Sequence, residues 1–135
     1  MTTSAQQRIT IKVPYLPDRV VTPNGRGNWR EVWQGKRQAK EDAMALIREQ
    51  GWFADPLPFA DMTYHFHAGD LVHRDLDNLV AGAKPFLDAL VTCGVIENDD
   101  TAHIRMREPI YTCIQGGTPS TTITVERAER GDDHA

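Results

Sequence analysis

The sequence predicts one α/β (α+β) domain, in which a mixed, mostly antiparallel sheet packs against two main helices. Apolar and polar residues alternate in several short segments, and this period of two is typical of half-buried strands. Two longer segments instead carry apolar residues at helical spacing, and Pro and Gly separate the segments. The predicted order is β-α-β-α-β-β, with the domain over residues 1–128 and a disordered tail over residues 129–135.

The first half supplies a strand, a helix and a second strand. Residues 8–15 alternate apolar and polar side chains before the chain enters a loop rich in Pro, Gly and Arg. Residues 29–50 then follow a helical pattern that ends at Gly51. Residues 59–68 alternate again, which predicts a strand with one apolar face formed by Met62, Tyr64 and Phe66.

The second half supplies a helix and two strands. Residues 79–93 are predicted to be helical, with Gly94 closing the helix. Residues 102–114 form the next predicted strand, in which Pro109 indicates a bulge or an edge position. Residues 120–127 form the last strand, and we expect these two strands to make a hairpin.

Charge is distributed unevenly along the chain. The net charge is −4, but residues 1–54 carry +4 and residues 55–135 carry −8. A basic half could meet the phosphates of a nucleic acid, and clustered carboxylates beside a polyanion suggest a bound divalent cation. A solvated acidic face is the alternative interpretation.

No apolar run approaches the roughly 20 residues that span a bilayer. We therefore expect no membrane association and a cytoplasmic location. Cys93 and Cys113 form no C-x-x-C unit, which favours free thiols.

The first acidic segment is HRDLDN, residues 73–78. If it is extended, Asp75 and Asp77 point to the same side because strand side chains repeat every two residues. Two such carboxylates repel each other unless a cation neutralises them, and oxygen ligands suit Mg²⁺ or Mn²⁺. The alternative is that Asp77 or Asn78 caps the second helix.

Two further elements follow this segment. The run ENDD, residues 97–100, is either an acidic turn or the source of a third metal-binding carboxylate. Lys84 lies seven residues after Asp77, about two helical turns, so it could share a helix face with that residue and contact a phosphate. Its alternative partner is Asp88, four residues later.

The run RDLDNLVAGAKPFLDALVTCGVIENDDTAHI, residues 74–104, resembles the core of the RusA family of Holliday junction resolvases. The family pattern is an Asp-x-Asp-Asn pair, a Lys on the next helix, a Leu-Asp-Ala-Leu stretch, a Gly and then Asp-Asp before a strand. All of these occur here in that order. The usual Lys position falls on Ala81, and Lys84 lies nearly one helical turn further along.

The resemblance implies a RusA-like nuclease domain and a homodimer that acts in DNA recombination and repair. Such proteins are Mg²⁺- or Mn²⁺-dependent endonucleases that nick four-way DNA junctions symmetrically, without an organic cofactor. The metal ligands carry over to Asp75, Asp77 and Asp100, with Asp99 as a rival to Asp100. The catalytic residues implied by the resemblance are these aspartates together with the family's essential lysine, which carries over to Lys84.

DNA affinity is expected from the basic residues of the first half and from one next to the acidic motif: Arg19, Arg26, Arg30, Lys36, Arg37, Lys40 and Arg74. Trp29 and Trp33 could stack on an unpaired base, or they could be buried beneath a solvated basic face. Two other functions fit the pattern. One is a non-catalytic junction-binding protein, and the other is a Mg²⁺-dependent nuclease for flaps or other branched DNA.

Overall fold

The structure of the protein, a computed structural model, describes residues 6–17 and 29–131. Arg19, Arg26 and most of the predicted tail lie outside the described residues. The elements in chain order are β1 (Arg8–Val13), α1 (Trp29–Gln50), β2 (Ala60–Ala68), α2 (Leu76–Gly82), α3 (Lys84–Thr92), β3 (Ile104–Met106), β4 (Ile110–Cys113) and β5 (Ser120–Arg127). The predicted class is confirmed: a mixed, mostly antiparallel sheet packs against helices.

The sheet is built around β2. β5 pairs antiparallel with β2 and with β1, whereas β3 and β4 pair parallel with the other side of β2, which gives the order β1-β5-β2-β3. Alternate residues of β2 are buried, and Met62, Tyr64 and Phe66 form the predicted apolar face. That face belongs to a core that includes residues of α1 and α3.

The predicted hairpin between the last two strands is wrong. β4 and β5 lie on opposite sides of β2, so the chain between them crosses the end of β2. The amides of Ile114 and Gly116 donate to the carbonyls of Ala68 and Gly69 at 3.0 and 2.9 Å, which ties this crossing to β2. A Cβ atom on Gly69 would overlap the carbonyl oxygen of Gly117, so the crossing requires a glycine there.

The predicted strand 102–114 is two short strands at the edge of the sheet. β3 and β4 are separated by residues 107–109, and the amide of Arg107 still donates to the carbonyl of Met62 at 2.8 Å. Pro109 has no amide hydrogen to donate, and it lies in this interruption. Its predicted edge position is confirmed.

The predicted helix 79–93 is wrong in its start and in its continuity. It begins three residues earlier, at Leu76, and it is divided at Ala83 into α2 and α3. Pro85 explains the division, because in a continuous helix its ring would clash with the carbonyl of Ala81 and it has no amide hydrogen for a helical bond. The predicted helix 29–50 is confirmed as α1.

Along the described ranges, no helix is both long and apolar enough to cross a membrane.

Replacing Gly69 by Ala should destabilise the protein by about 3 kcal/mol, at the upper end of the cost of overpacking, because the new methyl group meets rigid backbone. Gly94→Ala is the matched control: φ is +77° there, but a Cβ would contact nothing within 4 Å, so the expected cost is about 1 kcal/mol. Urea unfolding of both variants measures the difference. Equal losses would show that the crossing at Gly69 is not tight.

Candidate active site

Asp75 caps the start of α2. Its backbone is extended, with φ −84° and ψ 120°, and its Oδ1 accepts the amide hydrogen of Asp77 at 2.9 Å. Asp77 is therefore helical, and the expectation of an extended run through both residues is wrong, because the cap bond starts the helix at Leu76. The cap is also neither Asp77 nor Asn78, the two candidates from the sequence.

The two carboxylates nevertheless belong to one short stretch of surface. Asp75 is the cap, Asp77 lies in the first helical turn, and both residues are exposed. The partial positive charge at a helix start favours negative side chains, which offsets part of the repulsion between the two carboxylates.

Lys84 connects α3 to the second acidic segment. Its Nζ lies 2.7 Å from Asp88 Oδ1 and 2.8 Å from Asp99 Oδ2. The hydrogen bonds to Asp88 and then to Asp99 raise the pKa of Lys84, so the ammonium group stays charged at neutral pH. Its side chain is still 56% exposed, which leaves it accessible to a substrate.

The break at Ala83 changes how Lys84 reaches this position. The sequence spacing predicts Lys84 two turns after Asp77 on one continuous helix, and that geometry is wrong. Lys84 is instead the first residue of α3. The pair with Asp88, predicted as an alternative, does form, and Asp99 joins it from fifteen residues further along the chain.

The side chain of Asp100 has different hydrogen-bond partners from that of Asp99. Its Oδ1 accepts the amide hydrogen of Ala102 at 3.1 Å and lies 2.5 Å from Nδ1 of His103. The hydrogen bond with His103 lowers the pKa of Asp100. The structure thus brings Asp99, and not Asp100, to Lys84. His103 is a contact that the sequence reasoning missed, although its position three residues after Asp100 was a usable signal.

The predicted trio of Asp75, Asp77 and Asp100 is not gathered into one cluster. In the part of the chain that the structure describes, no three His, Cys, Asp or Glu side chains form a group that could hold a metal ion. Mg²⁺ is commonly held by one or two carboxylates together with water and substrate phosphates. The exposed Asp75 and Asp77 fit that requirement by the chemistry of their oxygens, and a third carboxylate ligand stays a prediction.

A groove joins Lys84 to the basic face of α1. It has a volume of about 430 Å³ and is lined by residues of α1, α2 and α3: Trp33, Lys36, Arg37, Lys40, Ala81, Lys84, Pro85 and Asp88. Three of the predicted DNA-binding residues therefore lie beside the predicted catalytic lysine. Trp33 is 54% exposed, which excludes the buried position considered for it. Arg30, one turn earlier on α1, is exposed.

Arg74 is engaged in the loop that precedes Asp75. Its guanidinium donates to both carboxylate oxygens of Asp70, at 2.7 and 3.2 Å, and lies 3.4 Å from the hydroxyl of Tyr111. The side chain is 14% exposed. These contacts brace the loop beside the cap of α2, and a DNA contact by Arg74 stays a prediction.

Comparison with known proteins finds a relative of this chain, but that relative has no assigned function. No protein-family model matches the chain. The chain is similar to an uncharacterized protein of Xylella fastidiosa strain Temecula1, with 24% identity over 130 residues that cover 93% of this chain and 84% of that protein. The likeness extends over nearly the whole domain and assigns no activity to it.

The contacts of Lys84 predict how its pKa responds to nearby substitutions. Asp88→Asn and Asp99→Asn should each lower the pKa of Lys84 towards its ordinary value, because each removes an anion that stabilises the ammonium. Asp100→Asn makes the same charge change next to Asp99 and should leave the pKa of Lys84 nearly unchanged. NMR titration of the Lys84 side chain measures all three, and a larger effect from Asp100→Asn would contradict the described geometry.

Proposed function

We propose that this protein is a Mg²⁺-dependent, structure-specific DNA endonuclease that resolves four-way junctions by paired nicks in recombination and repair. One observation carries the proposal: Lys84 of the RusA-like motif lies in the same groove as three basic side chains of α1. A surface that attracts phosphates therefore adjoins the predicted catalytic lysine.

The basic side chains of the groove supply the attraction to DNA. Lys36, Arg37 and Lys40 neutralise phosphates and release condensed counterions, and this release provides most of the affinity in sequence-independent binding. The chain carries a net negative charge, so the attraction is local to this face and orients the substrate on it.

Asp75 and Asp77 would hold the metal ion, since both present exposed carboxylates at the start of α2. A bound Mg²⁺ supplies an activated water and charge neutralisation at the phosphate.

Lys84 would contact the scissile phosphate. Its ammonium group has three hydrogens, and within the described residues two of them meet Asp88 and Asp99. The third can be donated to a non-bridging phosphate oxygen, where it stabilises the charge that develops during attack. Asp88 and Asp99 fix the direction of the amine and keep it protonated, so they are positioning residues in this scheme.

Paired nicking requires two active sites. A four-way junction has approximate two-fold symmetry, and a homodimer would present two copies of the site in matching orientation. We further propose that the protein is bacterial or phage-encoded and acts in the cytoplasm, where the DNA of such a cell lies.

The proposal is tested by incubating the protein with a synthetic four-way junction in Mg²⁺, Mn²⁺ or EDTA. Wild type should nick opposite strands with either metal and not with EDTA. Asp77→Asn should abolish nicking and keep junction binding, because it removes one metal-binding charge without removing basic residues. Asp55→Asn, at an exposed position in the loop between α1 and β2, is the matched control and should cut normally.

Flap and duplex DNA, assayed in parallel with the junction, distinguish the proposed function from the two alternative functions. Preferential cutting of flaps would favour a different branched-DNA nuclease, and tight junction binding with no metal-dependent cutting would favour a non-catalytic binding protein. Full activity in Asp77→Asn would contradict the assignment of the site.

A further inference from the structure

The groove between α1 and the α2–α3 pair combines an exposed aromatic surface with a cationic rim. Its volume of about 430 Å³ falls within the range of sites that enclose small ligands. Trp33 and Pro85 supply apolar surface, and Lys36, Lys40 and Lys84 supply positive charge.

We infer that this groove binds one unpaired nucleotide of a DNA strand, with its base against Trp33 and its phosphate between the lysines. The inference rests on the proposed function and deepens it, because it names the part of the substrate that the site selects. It assigns selectivity for branched DNA to α1.

Trp33 has the properties of a stacking surface. The side chain is 54% exposed although Trp is a large apolar residue whose burial would be favourable. The guanidinium of Arg37 lies 5.5 Å from the centre of the ring, and its Nε also donates to Glu41 at 3.3 Å. The ring is thus held beside a cation, and stacking of a base on such a ring is favourable for any base.

The charges of the groove select an anion. Lys36, Arg37, Lys40 and Lys84 line it together with a single carboxylate, that of Asp88. Lys84 pairs with Asp88 and Asp99, and Arg37 pairs with Glu41. The positive charge that the groove offers to an anion is therefore chiefly that of Lys36 and Lys40. A ligand with one flat aromatic ring and one phosphate matches both the aromatic surface and the remaining positive charge.

Base pairing decides which DNA can use this groove. In an intact duplex both faces of each base are covered by neighbouring bases, so Trp33 can stack only on a base that has left the helix. Such bases are available at branch points, gaps and single strands. Because Lys84 lines the same groove, a nucleotide held there lies beside the proposed point of cleavage.

The test measures binding of a labelled short oligothymidylate, and of a blunt-ended duplex made of two complementary strands, by fluorescence anisotropy in EDTA. Wild type should prefer the single strand. Trp33→Ala should weaken single-strand binding by about tenfold or more and leave duplex binding unchanged, whereas Trp33→Phe should retain most of it. Lys36→Ala should weaken binding of both DNAs. Phe53→Ala, at a 90% exposed aromatic residue outside this groove, is the control and should bind like wild type.

Several outcomes would overturn the inference: an unaffected Trp33→Ala variant, an equal loss for single strand and duplex, or equally tight binding of a polyglutamate peptide. The assay contains no metal and measures no cleavage, so it is independent of nuclease activity. Junction nicking with no role for Trp33 would refute this inference alone. Trp33-dependent binding without nicking would instead refute the proposed function.

Discussion

The hydrogen bonding of β2 on both of its edges is the constraint on which the rest of the fold depends. β5 occupies one edge and β3 with β4 the other, so the chain must cross the end of β2 at Gly69 to reach β5. At the opposite end, the amide of Ala60 donates to the carbonyl of His103 at 3.0 Å, which fixes the turn that follows the second acidic segment. The acidic segments are thus connected to the two ends of one rigid strand.

Hydrogen bonds and ion pairs arrange the charged side chains of the candidate site. Asp75 is fixed by capping α2, and Lys84 is placed at the first turn of a new helix because Pro85 interrupts the old one. Lys84 then joins Asp88 to Asp99, and the groove beside it continues onto the basic face of α1. The same lysine therefore pairs with two carboxylates and lines the groove that we propose receives a phosphate.

Local periodicity predicted the helices and strands well. The contacts between residues distant in the sequence could not be predicted. The buried face of β2 and the extent of α1 were visible because burial repeats with the pitch of each element. Strand neighbours were not visible, since alternation in residues 120–127 is the same whether the partner is β2 or β4. Asp75 and Asp77 are the same residue type and suit the N-cap equally well, so the sequence does not determine where α2 begins. The opposite directions of Asp99 and Asp100 depend on Lys84 and His103, which only the folded chain brings to them.

The most direct measurement of the central proposal, that Asp75 and Asp77 at the start of α2 hold a divalent metal ion, is NMR line broadening by Mn²⁺. Substoichiometric Mn²⁺ should first broaden the amide signals of Leu76, Asp77 and Asn78, because the ion would be bound at the neighbouring carboxylates. The same addition should leave these signals sharp in Asp77→Asn. Broadening centred on another acidic position, such as Asp61 or Asp70, or unchanged broadening in the variant, would contradict the claim.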